Sequence, residues 1–141
     1  MVFVLGIDVS TTATKAVLID QAGAVRAIGL AEYEFETPQA LWSEQAPQLW
    51  WAGAQAAIRS AVASAEARAE EVVAVGLTGQ MHGAVLLGAA GDVLRPAILW
   101  NDQRTGAEWV AVLWPDGRQV AAKGVPGDAR LVFTGETAEI R

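Results

Sequence analysis

The sequence contains no cysteine, a single histidine and only two lysines among its 141 residues. Without cysteine the chain has no disulfide, no thiolate metal ligand and no cysteine nucleophile. Nucleic-acid binding requires clustered Lys and Arg, whereas here ten Lys plus Arg stand against sixteen Asp plus Glu, for a net charge of −6. We therefore expect no nucleic-acid partner.

Long apolar runs are also missing. The apolar start of the chain ends at Asp8, too early for a signal-peptide core, and no stretch approaches the roughly 18 apolar residues of a membrane span. The composition, 52% apolar and 18% charged, is that of globular proteins rather than disordered chains. The length suits a single domain of roughly 100–200 residues. These features predict a soluble, cytoplasmic protein with no membrane partner.

The hydrophobic pattern changes from a strand-like to a helical period at Pro47. Before Pro47, three apolar runs separated by turn residues predict an antiparallel meander, with strands within 2–7, 15–19 and 24–35. The first run is continuous, which predicts a strand covered on both faces. After Pro47 we expect an amphipathic helix to Glu66 and then strands near 72–77, 84–87 and 93–100. This order predicts an α/β fold with a mixed sheet, and the signal weakens after Arg104.

A carboxylate followed by hydroxyl groups marks the end of the first predicted strand. Gly6-Ile7-Asp8 precedes the turn Ser10-Thr11-Thr12, and Lys15 opens the second strand. Such a turn can cradle phosphate oxygens, while the carboxylate holds Mg²⁺ directly or through water. The alternative is that Asp8 and Ser10 only form an Asx-type turn. The chain has no Walker loop, because the required Gly and Lys spacing is absent.

A second polar cluster, Gly79-Gln80-Met81-His82-Gly83, directly follows a predicted buried strand. Ligands of open α/β sheets bind at the carboxyl ends of strands. An amide and a neutral imidazole can exchange hydrogen bonds with sugar hydroxyls. The alternative is an ordinary loop histidine without a chemical role.

A third cluster, Asn101-Asp102-Gln103-Arg104, follows the last predicted strand. Arg104 can form a bidentate pair with Asp102 or with another carboxylate. The alternative is the start of a helix that is capped by Asn101 or Asp102.

Four motifs occur in a characteristic order: Gly-Ile-Asp-Val-Ser-Thr-Thr from Gly6, Leu-Trp-Ser-Glu-Gln from Leu41, Gly-Gln-Met-His-Gly from Gly79 and Leu-Arg-Pro-Ala-Ile-Leu-Trp-Asn-Asp from Leu94. Together they resemble the N-terminal part of the FGGY carbohydrate kinases, and the xylulokinases among them most closely. The resemblance covers residues 1–104. It implies a ribonuclease-H-like, actin-like ATPase fold, which the family duplicates as two lobes, with the sugar mostly in the first lobe and the nucleotide mostly in the second.

The resemblance also implies roles for residues at the matching positions. The reaction would transfer the γ-phosphoryl group of ATP to the terminal hydroxyl of D-xylulose, with ATP and Mg²⁺ as cofactors and a ketose as partner. On the phosphate side, Asp8 organises Mg²⁺ and phosphate, and the residues approaching ATP are Ser10, Thr11, Thr12 and Lys15. On the sugar side, the residues implied are Gln80, Met81, His82, Asn101, Asp102 and Arg104.

The chain departs from the family pattern in three ways. Family members are several times longer, and their general base, an Asp in a Gly-rich segment, lies beyond any position matched here. Ala46 stands where an Asp capping the helix is expected, a loss that typically costs about 1 kcal/mol. The tail 129–136 resembles a stretch found later in the first lobe of the family. We therefore expect 1–104 to be a partial N-terminal lobe and 105–141 a shortened remnant of it, in a truncated chain without the C-terminal lobe.

Three possibilities remain for such a chain. It is either a sugar kinase by descent, inactive alone, or a non-catalytic fragment that at most binds a sugar weakly. An actin-like module for protein interaction is the third possibility.

Overall fold

The computed structural model describes residues 1–104, 130–133 and 136–139. The chain divides into two compact units. Unit 1 comprises Met1–Glu34 and Gln48–Gln80, and unit 2 comprises Phe35–Pro47 and the described residues from Met81 onward. No helix in the described part of the chain is both long and apolar enough to cross a membrane.

Nine strands and one α-helix make up the described structure. In chain order they are β1 (Phe3–Val9), β2 (Ala13–Asp20), β3 (Val25–Glu32), β4 (Glu44–Gln45), α1 (Pro47–Ser64), β5 (Val72–Gly79), β6 (Ala84–Leu87), β7 (Ala97–Ile98), β8 (Arg130–Phe133) and β9 (Glu136–Glu139). A short helical turn over Ala69–Glu71 leads into β5.

The sheet of unit 1 has the strand order β3-β2-β1-β5. The first three strands pair antiparallel, whereas β5 pairs parallel with β1. The turn between β2 and β3 is closed by Asp20, whose Oδ1 accepts the N–H groups of Ala22 and Ala24 at 2.9 and 3.0 Å. Gly23 provides the positive φ of 84° that this turn requires. The predicted meander and mixed sheet are confirmed.

The predicted helix is also confirmed, and it packs on one face of this sheet. The core consists of apolar residues from β1, β2 and α1: Phe3, Leu5, Ala16, Leu18, Ala57 and Ala61. The helix approaches β3 so closely that a Cβ at Gly29 would lie 1.9 Å from the carbonyl oxygen of Ala57. Glycine at position 29 is therefore a requirement of the packing, because any side chain would push the helix off the sheet.

The prediction that β1 is covered on both faces is wrong for the described residues. Phe3 and Leu5 are buried, but Val4 between them is 43% exposed. Val73, Val75 and Leu77 of β5 are exposed as well. The reason is that, within the described part of unit 1, α1 covers one face of the meander and does not extend over β5. Trp51 of α1 is likewise exposed.

Unit 2 contains a second sheet with the order β4-β7-β6-β8-β9. The strand predicted at 84–87 is confirmed, but β6 and β7 join this sheet rather than the mixed sheet of unit 1. The strand expected over 93–100 is reduced to Ala97–Ile98, directly after Pro96, which has no N–H to donate to a ladder. The third strand of the meander, expected to reach Phe35, ends at Glu32. In the tail, β8 and β9 pair antiparallel, and residues 105–129 lie outside the described structure.

Helix α1 ends in a Schellman arrangement. The N–H of Ala67 donates to the carbonyl of Val62, and the N–H of Glu66 donates to the carbonyl of Ala63, both at 3.1 Å. Glu66 occupies the left-handed region with a φ of 48°. This position is usually glycine, because a Cβ is strained there.

We expect Glu66→Gly to raise the free energy of unfolding by about 1 kcal/mol, since the left-handed conformation costs a residue with a Cβ roughly 1–2 kcal/mol. Urea unfolding followed by circular dichroism measures the change. Ala63→Gly, on the exposed surface of α1 three residues earlier, is the matched control and should lower stability by roughly 0.5–1 kcal/mol. Equal destabilisation by both changes would contradict the assignment of Glu66 to the left-handed position at the end of α1.

Candidate functional site

The first candidate site lies on the face of the unit 1 sheet opposite α1. Side chains alternate along β1, so Gly6 and Asp8 emerge opposite the buried Phe3 and Leu5. A cavity of about 410 Å³ opens on this face. It is lined by Gly6, Ile7, Asp8, Lys15, Val17, Gly76, Leu77 and Thr78.

Strand register brings the polar residues of this cavity into one row. Asp8 pairs with Lys15 of β2 on one side and with Thr78 of β5 on the other. All three residues are exposed. A carboxylate, an ammonium group and a hydroxyl thus lie side by side across three strands. The prediction placed Asp8 and Lys15 here, but it did not include Thr78.

The turn between β1 and β2 is held by local hydrogen bonds. The N–H and the hydroxyl of Ser10 both donate to the carbonyl of Ala13, at 2.9 and 3.0 Å. The Tyr33 hydroxyl donates to the carbonyl of Ser10 at 2.8 Å. Burial raises the pKa of Tyr33, and its hydrogen bond with Thr14 only partly offsets this. The turn is therefore closed by hydrogen bonds from Ser10 to Ala13, which is not the Asx-type turn of Asp8 and Ser10 considered as the alternative.

The donor set at Asp8 suits a hydrated magnesium ion. Among the described residues, no group of three or more His, Asp and Glu side chains could hold a metal on its own. Mg²⁺ retains several waters and is usually held by one or two carboxylates together with substrate phosphates. A single exposed carboxylate in an open cavity provides that kind of contact and leaves space for phosphate.

Gln80 directly follows β5 and is buried. Neither Nε2 nor Oε1 of its amide has a hydrogen-bond partner among the described residues. Leaving a buried polar group unpaired costs about 1–3 kcal/mol, so a buried amide normally has a partner. Gln80 is therefore a residue that could donate to and accept from a ligand.

His82 adopts a left-handed conformation with a φ of 59°. Such a conformation is uncommon outside glycine, although histidine is among the residues enriched there. Strained residues of this kind cluster at ligand sites. Met81 and His82 are both exposed, and Gly83 behind them is buried. The loop therefore presents the two side chains to solvent.

A second cluster, in unit 2, is a network of two carboxylates and two guanidinium groups, in which the side chains of Asp102, Glu44 and Arg104 are buried and that of Arg95 is 38% exposed. Arg104 forms a bidentate pair with Asp102, with Nε to Oδ1 at 2.8 Å and Nη2 to Oδ2 at 2.6 Å. Nη1 of Arg104 donates to Oε1 of Glu44 at 2.6 Å, and Arg95 donates to the same oxygen. The Arg104 guanidinium also stacks on Trp42, 3.7 Å from the ring centroid.

Asp102 is saturated within this network. Besides Arg104, it accepts the N–H of Ser43 at 2.6 Å and the backbone N–H of Arg104 at 2.9 Å. Burial by itself would raise the pKa of Asp102, but these donors hold the pKa below its usual value. The same pairing raises the pKa of Arg104. The bidentate pair considered for Arg104 is therefore present, whereas the capped helix start considered as the alternative would extend beyond Arg104, outside the described residues.

Sequence reasoning missed the other members of this network: Trp42 and Glu44, which contact Arg104, and Arg95, which contacts Glu44. A signal was available, because Glu44 lies in the Leu-Trp-Ser-Glu-Gln motif, and a carboxylate that is buried requires a cation. Asn101, by contrast, is exposed. It lies in the turn that the Asp102 N–H closes on the carbonyl of Leu99 at 3.1 Å.

The predicted site residues are distributed over both units. Those in unit 1 are Asp8, Ser10, Thr11, Thr12, Lys15 and Gln80, and those in unit 2 are Met81, His82, Asn101, Asp102 and Arg104. Their assigned roles stay predictions.

Comparison with known proteins identifies close similarities. Residues 3–128 match the model of the FGGY family of carbohydrate kinases, N-terminal domain. The xylulose kinase of Escherichia coli (strain K12) is 44% identical over 105 residues, which are 74% of this chain and 21% of that protein. The glycerol kinase of Acinetobacter baylyi is 34% identical over 128 residues, which are 90% of this chain and 26% of that protein.

Among solved structures, xylulose kinase from Rhodospirillum rubrum is similar with a TM-score of 0.67 and 31% identity, over 74% of this chain and 21% of that chain. The predicted fold class, a mixed α/β fold of the actin-like ATPase type, is thereby confirmed. The chain spans about a fifth of the length of the xylulose kinases it matches.

We expect Arg104→Met to lower the free energy of unfolding by about 3–5 kcal/mol, because it leaves two buried carboxylates without their shared cation. Arg104→Lys should cost less, since it keeps the charge but loses the bidentate geometry and the stacking. Arg59→Met, at a helix surface where Arg59 only contacts Gln55, is the control and should change stability by less than about 0.5 kcal/mol. Denaturant titration distinguishes the three, and equal effects at Arg104 and Arg59 would disprove a structural role for the network.

Proposed function

We propose, since the chain belongs to the FGGY family of carbohydrate kinases, that it carries the sugar-binding and metal-organising part of a kinase acting on a ketose. The reaction would transfer the γ-phosphoryl group of ATP to the terminal hydroxyl of D-xylulose. The observation that carries this proposal is the exposed Asp8 carboxylate in an open cavity, in register with Lys15. Relatives named xylulose kinase support the choice of substrate.

The phosphate side of the proposal rests on the unit 1 cavity. Asp8 would hold hydrated Mg²⁺, which neutralises phosphate charge when bound. The ammonium group of Lys15, one strand away, would attract the phosphate oxygens. The turn Ser10-Thr11-Thr12 would approach the same anion, with the backbone of the turn kept in place by Tyr33.

The sugar side rests on the loop after β5. The unpaired amide of Gln80 and the imidazole of His82 would exchange hydrogen bonds with ketose hydroxyls, and Met81 would cover an apolar edge of the sugar. Among Asn101, Asp102 and Arg104, we propose Asn101 as the residue that contacts a sugar directly. Asp102 and Arg104 would then act by holding the turn that presents Asn101, because their own polar groups already have protein partners.

Two requirements of the reaction, a general base and a nucleotide-holding lobe, are not met by the matched residues. None of the residues that match the family motifs provides a general base, and the nucleotide-holding lobe corresponds to no matched segment. The phosphoryl transfer needs base, metal and both substrates in register. We therefore propose that the chain requires a second lobe for turnover. A cytoplasmic location, the place of sugar phosphorylation, stays a prediction.

Sugar binding tests the proposal directly. We expect D-xylulose to shift the NMR signals of Gln80, Met81 and His82, with a dissociation constant in the millimolar range. This constant corresponds to a binding free energy of about −4 kcal/mol. His82→Gly should abolish these shifts and yet raise thermal stability, because glycine relieves the left-handed backbone. Gln103→Ala, an exposed neighbour of Asp102, is the control for a loop change without loss of binding. Shifts spread evenly over the chain, or absent at these three residues, would overturn the sugar assignment.

We expect the isolated chain not to phosphorylate D-xylulose at a measurable rate. Loss of general base catalysis costs about 10²–10⁴-fold, and loss of substrate positioning can remove roughly 7–11 kcal/mol of assistance, so the second deficit dominates. The measurement is ADP release with ATP, Mg²⁺ and D-xylulose. Turnover above that of Asp8→Ala would reveal a base within the chain.

A further inference from the structure

The two faces of β5 differ sharply in side-chain size. Val73, Val75 and Leu77 are large and share one face, whereas Ala74, Gly76 and Thr78 are small and share the other. By register, the small residues lie on the same face as Asp8 and Gly6. Gly76 and Thr78 on this face line the cavity beside Asp8.

Gly6 and Gly76 are paired in register and form the floor of this cavity. Among the described residues, a Cβ built at Gly76 meets nothing within 4 Å, and one at Gly6 lies 3.9 Å from its nearest neighbour, the carbonyl of Val17. The packing of this part of the chain therefore does not require glycine at either position. Glycine inside a strand costs roughly 0.5–1 kcal/mol relative to alanine, and it often marks a place where a ligand or another backbone approaches closely.

Thr78 borders this floor on the side of Asp8 away from Lys15. Neighbouring strands lie about 4.8 Å apart, so an ammonium group and a hydroxyl flank the carboxylate at similar spacing. Two hydrogen-bond donors around one metal-binding carboxylate suit a phosphoryl group better than a second polypeptide backbone, because they match anionic oxygens and a shared cation.

We propose that Thr78 is a phosphoryl-binding residue, whose hydroxyl donates to an oxygen of a phosphoryl group lying over the bare floor of Gly6 and Gly76. This inference rests on the proposed kinase function and extends its phosphate site to β5. The floor allows the group to approach the backbone, and Thr78 positions it from the side opposite Lys15.

The test titrates the full chain with Mg²⁺ and ATP, and separately with Mg²⁺ and tripolyphosphate, following the amide signals of Gly6, Asp8, Gly76 and Thr78. Thr78→Val keeps the shape and the strand preference but removes the hydroxyl, and it should weaken binding of both probes about tenfold. Thr78→Ser should restore binding. Thr37→Val, an exposed threonine outside the cavity, is the matched control.

Gly76→Ala separates a ligand role from a structural one. It should raise the melting temperature, because alanine fits the open space and lowers the entropy of the unfolded chain, and it should weaken binding of both probes. A merely structural glycine would show a change in stability alone.

Unchanged affinity in Thr78→Val and Gly76→Ala, with the wild-type chain binding both probes at the cavity, overturns this inference and leaves the kinase proposal intact. Binding of ATP but not of tripolyphosphate also contradicts it, because the nucleoside would then be the recognised group. Absence of any shift at Asp8 in the wild-type chain overturns both this inference and the phosphate side of the proposed function.

Discussion

The two-residue alternation of β1 decides which face of the sheet can carry chemistry. Phe3 and Leu5 lie in the core under α1, so Gly6 and Asp8 must emerge on the opposite face. A slip of one residue would bury the carboxylate among apolar side chains and expose Leu5. Burial of an unpaired charge is so costly that the register of β1 is strongly specified. The positions of Lys15 and Thr78 beside Asp8 follow from that register.

The turn Ser10-Thr11-Thr12 depends on α1 indirectly, through the side chain of Tyr33. A Cβ at Gly53 would lie 2.6 Å from the ring of Tyr33, so glycine in α1 makes room for that ring. Tyr33 in turn bonds the Ser10 carbonyl and the Thr14 hydroxyl, at 2.8 and 3.0 Å. The packing of α1 thus reaches the turn that the proposed phosphate site uses, although no residue of α1 lines the cavity.

In unit 2, polar contacts do much of what apolar packing does in unit 1. Strand β4 is only two residues long, and its ladder with β7 is correspondingly short. Glu44 in that strand is tied to Arg104 and Arg95, and the stack of Arg104 on Trp42 completes the contact between the two segments. The network balances two negative with two positive charges. Its geometry specifies one pairing of these segments, because any other would leave a charge buried without its partner.

Local pattern was sufficient for the meander, the helix and several of the polar clusters, but it did not indicate β4, β8 or β9. The change of period at Pro47 located the helix, the turn residues located the meander, and the motif from Gly79 located the loop that contains His82. Local pattern did not show that β6 and β7 belong to a second sheet, apart from β5. Short strands such as Ala97–Ile98 carry too few residues to show which partner they pair with, and partner choice depends on contacts distant in sequence.

The amino-acid sequence by itself determined the family, the meander, the helix and the placement of carboxylate, amide and imidazole groups at or near strand ends, because these depend on neighbours along the chain. Only the tertiary structure decided that Thr78 lies beside Asp8, that Gly6 and Gly76 share a floor, and that Arg104 donates to Glu44 and stacks on Trp42, on a segment about 60 residues away. Parallel pairing and buried ion pairs join residues far apart in the chain, and no local period records which of them meet.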